Sequence, residues 1–291
     1  MYFANLVRQH WAALRALLVL TAVLGIAYPL FIWLVAQLPA LRTHAEGSIV
    51  RVDGKPVGSR LIGQSFTDAA GRPLPQYFQS RPSAAGDGYD TLATGGSNLG
   101  PESIVDTPTR PSLLTLVCSR SKAIGELEGV DGSRPFCTPG GVGAVLSVIG
   151  PRDTRGYVVH PIRVISVNEP CTTVRQPFLD TYQSVRVECA RFGEDYTSGQ
   201  IVPIRGDAPA QPPVPADAVN ASASGLDPHI STSYAEIQVG RVAKARRVTP
   251  DQVRDLVREN TTRRELWIFG QHRVNVLQLN LELDRKYPVP S

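Results

Sequence analysis

The apolar positions of this chain change their rhythm along its length. No charged residue occurs between Ala16 and Leu41, an interval that opens with the run ALLVLTAVLGIAYPLFIWLVAQL (Ala16–Leu38). It is long enough to cross a bilayer core, which takes about 20 apolar residues. Arg8 and Arg15 precede the run, Arg42 follows it, and Trp11 and Trp33 lie near its ends, where indole rings favour the interface. Pro29 falls inside the run, which a spanning helix tolerates when neighbours or waters satisfy the freed carbonyl. A cleaved signal peptide has a shorter apolar core and a small-x-small site. The greater length and the lack of an Ala-x-Ala ending predict a retained transmembrane helix at 16–38 behind a short cytoplasmic tail at 1–15.

Beyond the span the elements shorten. Ser48–Val52 reads as a strand, Asp53-Gly54 as a hairpin turn, and Val57–Phe66 as its return. YFQSRPSA (Tyr77–Ala84) and TGGSNLGP (Thr94–Pro101) are rich in turn residues. From 102 to 213, runs dense in valine and isoleucine (Ala144–Ile149, Tyr157–Val167, Ser184–Ala190) alternate with Gly, Pro, Asp and Asn. This predicts a β-rich insertion with a small core of its own. Pro209–Pro215 reads as an extended linker. The period then becomes helical: Ser231 is a natural N-cap, and Ala235, Val239, Val242 and Ala243 fall on one face. Arg241, Lys244, Arg246 and Arg247 would complement that helix's dipole. Thr249-Pro250-Asp251 starts a second helix with Val253, Leu256 and Val257 as its stripe. Leu277, Leu279, Leu281 and Leu283 alternate with polar residues and predict a half-buried strand, out of phase with Val274 and Val276. The fold class is therefore α+β: one transmembrane helix, then a mixed α/β extracytoplasmic domain of 42–101 and 214–291 that carries the insertion 102–213.

Composition narrows the function. With 42% hydrophobic and 19% charged residues the bulk is globular. The net charge of +4 is spread along the chain without interleaved aromatics, which gives no basis for a nucleic-acid partner. Cys118, Cys137, Cys171 and Cys189 all lie on the far side of the span. An even set in a turn-rich region fits disulfides in an oxidising compartment. More than one pairing is open, of which the sequence-local Cys118–Cys137 and Cys171–Cys189 are favoured; reduced, buried thiols are the alternative. Basic residues flank the span on both sides, so the positive-inside count alone does not orient it. There is no C-x2-C or H-E-x-x-H spacing, and His160 is the nearby histidine, so no metal site is expected.

Candidate chemistry is sparse. TGGSNLGP has the glycines of a phosphate loop but lacks G-x4-G-K-[ST]; Ser97 and Asn98 are expected to bond their own backbone. Ser224, Asp227 and His229 lie close in sequence, without a G-x-S-x-G elbow. A membrane-anchored hydrolase built on these three residues is the enzymatic alternative, and an extracytoplasmic binding module is another. The simpler reading makes Asp227-Pro228 a turn into the helix capped at Ser231 and His229 a structural or interface residue. No D-K-T-G phosphorylation motif occurs, and the span carries no acid or base, the usual marks of an ion pathway. No catalytic residue is therefore assigned.

Several motifs in fixed order resemble one family. Behind a single span come GSRLIGQSF (Gly58–Phe66), YFQSRPSA and GGSNLGP, then VPADAVNASASGLDPHIS (Val214–Ser231), QVGRVAKAR (Gln238–Arg246) and RVNVLQLNLELD (Arg273–Asp284). The chain resembles the C subunit of the Kdp high-affinity potassium-transporting ATPase of bacteria, over roughly 1–101 and 214–285. It departs in Ala223, where the family usually has glycine, and in the insertion, which looks like that of actinobacterial members. The resemblance implies a single-pass plasma-membrane subunit with its soluble domain outside. Its partners would be a potassium-binding channel-like subunit, a P-type ATPase subunit, a small membrane subunit and membrane lipid. The implied role is that of a catalytic chaperone that promotes ATP binding by the ATPase subunit. No tightly bound cofactor is implied, ATP entering only through the ATPase subunit. The candidate interface or nucleotide-modulating residues are Gly95, Gly96, Ser97, Asn98, Ser224, Gly225, Asp227, His229 and Gln238.

Overall fold

The computed structural model describes residues 2–264, 268 and 270–289. The chain forms two compact units, Met1–Leu61 and Ile62–Ser291.

In the first unit, helix α1 (Tyr2–Ala22), a π-helical turn (Val23–Ala27) and α2 (Tyr28–Ala36) make one continuous helix, long and apolar enough to cross a membrane. Pro29 explains the π turn. Proline has no N–H to offer its preceding turn, and the helix adapts just before it, with the Tyr28 N–H donating to Val23 O. The helix begins at Tyr2, so the stretch before residue 16 is itself helical, there being no breaker ahead of Gly25. A short helix, α3 (Pro39–Ala45), follows. Strands β1 (Ile49–Val52) and β2 (Lys55–Ser59) then pair antiparallel. Asp53 (φ 50°) and Gly54 (φ 78°) adopt the left-handed backbone of a tight hairpin turn. The return strand stops at Ser59, well short of Phe66. There the Ser59 hydroxyl donates to Gly47 O at 2.7 Å and accepts from Leu61 N at 3.1 Å, turning the chain off the ladder.

The second unit opens with loops that lead to α4 (Leu113–Glu128), a 16-residue helix inside the stretch read as β-rich. Ser112 caps its start and Gly129, at φ 68°, its end. Its buried face is Thr115, Cys118, Ser121 and Gly125. Small and polar residues on the inner face hide the apolar period that would otherwise announce a helix. The small face admits close approach: a Cβ on Gly125 would lie 2.6 Å from Gly132 N. Next come β3 (Val145–Ile149), β4 (Arg163–Pro170), β5 (Thr181–Tyr182), β6 (Val185–Ala190) and β7 (Gln200–Pro203), in the spatial order β5-β6-β4-β3-β7. Neighbours are antiparallel except β4 and β6. Strand β4 begins at Arg163, later than Tyr157, because Pro161 cannot donate to a ladder. Leu146, Val148, Val158, Val164 and Val187 form a small core on this sheet. Disulfides join Cys118 to Cys137 and Cys171 to Cys189.

The remaining elements are α5 (Ala216–Val219), β8 (His229–Ser231), α6 (Thr232–Arg246), α7 (Pro250–Glu259), β9 (Thr261–Thr262), β10 (Arg273–Asn275) and α8 (Val276–Lys286). Ser231 and Thr249 cap α6 and α7, and Thr249 forms a capping box with Gln252. The leucine-rich segment is helix α8 and not a strand. Val276, Leu277, Leu279, Asn280 and Leu283 are its buried positions; Val276, Leu279, Asn280 and Leu283 among them keep a three-four spacing that the alternation of leucines masks, and Asn275 caps the helix by accepting from Gln278 N. Phe78, Val239, Leu256, Val274 and Leu279 belong to the main core, against which Val117 and Ile124 of α4 also pack. Val214, at the end of the proline-rich stretch, is buried in that core and not free as a linker residue would be. Arg246 is 2% exposed. Its guanidinium donates to Gln76 O, Tyr287 O and Asp284 and stacks on the Tyr77 ring, so it ties α6 to α8 and does more than complement a dipole.

Candidate functional site

Four of the sequence motifs meet in the second unit. The segment SGLDPH enters β8 and turns at Gly225, whose φ is +70°. Around this turn the other motifs close by backbone bonds: Gly95 N donates to Ser224 O (3.0 Å) and Gly63 N to Leu226 O (2.8 Å). The Ser83 hydroxyl donates to Gly225 O at 2.7 Å while accepting from Ala85 N and Tyr89 N. Two glycines are required by space. A Cβ on Gly225 would sit 2.7 Å from Ala85 Cβ, and one on Gly63 would sit 2.8 Å from Asp227 O.

The charged centre of this junction is Asp227. Arg81 Nη1 donates to its Oδ2 at 3.0 Å, and the backbone N–H of His229 donates to Oδ1 at 3.0 Å. The His229 ring places Nδ1 3.1 Å from the same oxygen. Arg81 also reaches Asn220 O, and its carbonyl accepts from the Tyr89 hydroxyl at 2.8 Å. Burial pushes the Asp227 carboxyl up, but the bonds from His229 and the charges of His229 and Arg81 outweigh it and hold the group below its ordinary range. Burial pushes the Tyr89 phenol up to about 12, so it stays a neutral donor. Nearby, Asp217 of α5 accepts from the Ser231 backbone and hydroxyl at 2.6 and 2.8 Å, fixing the cap of α6. Arg81, Asp217, Asp227 and His229 border an open cavity of about 460 Å³.

The structure thus brings Gly95, Ser224, Gly225, Asp227 and His229 together. The Ser224 hydroxyl accepts from Leu226 N, within its own turn. Among the described residues no hydrogen bond joins Ser224 to His229, so the serine, aspartate and histidine do not form a relay; the aspartate meets both His229 and Arg81, and the serine stays within its own turn. Gly96, Ser97 and Asn98 border a smaller cavity of about 330 Å³, across from Asn220–Ala223 and Arg120 of α4. The Ser97 hydroxyl accepts from Leu99 N, a local turn. Gln238 belongs to a different network. It is fully buried, its Oε1 accepting from Gln79 N at 2.6 Å and from Arg241, its Nε2 donating to Gln79 O. Arg241 continues to Glu128 of α4 at 2.9 Å. Burial costs Glu128 more than Arg241 returns and raises its carboxyl above the usual range. Arg81, Ser83 and Tyr89 were not singled out by sequence. The one available signal was an arginine inside a turn-rich motif, and a turn does not reveal which distant carboxylate it will meet.

The Asp227→Asn variant should lose stability at neutral pH, by about 2 kcal/mol for hydrogen bonds that involve charged groups. Because the folded carboxyl titrates below its unfolded value, its contribution is complete above the ordinary carboxylate range and is lost as pH falls through the folded value. Urea midpoints of the two proteins should therefore differ at pH 7 and converge in acid; a gap that does not change with pH would refute the assignment.

Comparison with known proteins decides the family. Residues 10–125 and 194–285 match the family described as KdpC: K+-transporting ATPase, c chain. The chain belongs to the KdpC family. It is 36% identical over 284 residues to a potassium-transporting ATPase KdpC subunit of Kineococcus radiotolerans, covering 98% of this chain and 97% of the relative. The KdpC subunit of Koribacter versatilis is 31% identical over 273 residues, 94% and 92% of the two chains. That of Mycobacterium tuberculosis is 33% identical over 278 residues, 96% and 98%. All the motif residues around Asp227 lie within the KdpC match, and α4 does so up to residue 125. The stretch 126–193, which holds most of the five-stranded sheet, lies outside the family match.

Proposed function

We propose that this chain is the non-catalytic accessory subunit of an ATP-driven potassium uptake complex in a bacterial plasma membrane. It is held by its single N-terminal helix with the body on the outer face. The partners are a channel-like potassium-binding subunit, a P-type ATPase subunit and a small membrane subunit. The chain stabilises that assembly and promotes ATP binding by the ATPase subunit. It does so through the assembled complex, since the bilayer lies between an outer body and cytoplasmic nucleotide. Membership of the KdpC family supports the complex, and two disulfides support the oxidising side.

The observation that carries the accessory role is that the motif side chains are spent on one another. Asp227 is held by Arg81 and His229, Ser83 by Gly225, and Ser224 by its own turn. Such a junction makes a rigid surface and leaves no nucleophile beside a base. Purification of the tagged chain from native membranes should bring a P-type ATPase and a channel-like subunit with it. Removing the chain should raise the KM for ATP of the remaining complex. A chain that purifies alone and hydrolyses esters would overturn this reading.

A further inference from the structure

The hairpin of β1 and β2 forms a two-stranded sheet, a unit that is marginal in water without something to pack on. Ile49 and Val52 are 44% and 42% exposed, as is Leu61 just beyond β2 at 60%, while Val50 and Val57 are half-buried. Arg51, Lys55 and Arg60 are exposed beside them, against the one acid Asp53 at the turn. Arg51 donates only to Gly54 O, across the turn, and neither Arg51 nor Lys55 is in an ion pair among the described residues. The hairpin shares its compact unit with the spanning helix. The chain from Ala36 to Ile49 includes α3 and can reach no further than about 30 Å. Apolar side chains interleaved with basic ones, tethered that close to a bilayer, have the composition of an interfacial element.

We infer that this hairpin is a lipid-binding element that lies on the headgroup layer and takes anionic phospholipid through Arg51 and Lys55, with Val52, the cross-strand partner of Lys55, entering the interface. Charge complementarity and continuity with the span select lipid over a protein partner. The inference does not depend on which side of the membrane the hairpin occupies.

Amide hydrogen exchange of the full chain tests it, in nanodiscs of phosphatidylcholine and in nanodiscs with phosphatidylglycerol added. Exchange of amides 49–59 should slow with phosphatidylglycerol, by about fivefold for each basic side chain engaged, and recover in high salt. The R51Q/K55Q double variant should lose the lipid dependence while amides of α6 and α7 exchange as before. Equal exchange in both lipids, slowing that survives the double substitution, or slowing that appears only when the other pump subunits are added would each overturn the inference.

Discussion

The Gly225→Val substitution is expected to lower the stability of the second unit by at least about 3 kcal/mol and to abolish recovery of the assembled complex. Two costs add. A non-glycine residue in the left-handed region pays about 1–2 kcal/mol, with β-branched side chains at the upper end. The new Cβ would also stand 2.7 Å from Ala85 Cβ, 2.8 Å from Ala85 N and 3.0 Å from Gly95 O. Ala85 is fully buried, so the chain cannot yield without parting the motifs, and overpacking of this kind costs about 1–3 kcal/mol more. Gly71→Val is the matched control. Gly71 has a similar φ of +76° with nothing within 4 Å of an added Cβ, so only the backbone cost should appear. Urea unfolding of the two variants measures the difference; equal losses would mean that the junction is looser than its geometry states.

Gln238→Leu should be as damaging for a different reason. The side chain is fully buried, and its amide exchanges two bonds with the backbone of Gln79, as an extra strand would. Leucine would leave a buried N–H and a buried C=O unpaired, at about 1–3 kcal/mol each, and would strip Arg241 of one acceptor. The expected loss is about 3–4 kcal/mol, seen in urea unfolding of the chain alone. A residue that met nucleotide or a partner would behave otherwise, weakening ATP affinity of the complex while leaving the isolated chain as stable as before. That second pattern would move Gln238 from the structural network to the functional surface.

Both residues sit in motifs that sequence could single out without saying what they do. The glycine signalled an unusual backbone angle, but the wall it faces, Ala85, comes from a loop more than a hundred residues earlier. The glutamine stood among alternating polar and apolar residues like any exposed helical position, and only the packing of the 78–79 segment buries it. Asn280 does the same for Phe78 from α8. There a strand was expected because leucines at every second position satisfy a period of two, while the three-four spacing of Val276, Leu279 and Leu283 was equally present. Long-range backbone partners decided between the two periods.

By itself the sequence determined what local chemistry can determine: an uncharged apolar run long enough to span a bilayer, the caps at Ser231 and Thr249, the hairpin turn at Asp53-Gly54, and the ordered motifs of the family. Each of these depends on neighbours along the chain, so each is written in the order of residues. Tertiary structure alone decided that α4 packs on the main core through Val117 and Ile124 while its small and polar face receives the 132–143 segment, that α8 is a helix, and that Arg81 and His229 converge on Asp227. Those outcomes are set by which distant groups can be buried and hydrogen-bonded at once, a condition on pairs of segments that the pattern within any one of them does not contain.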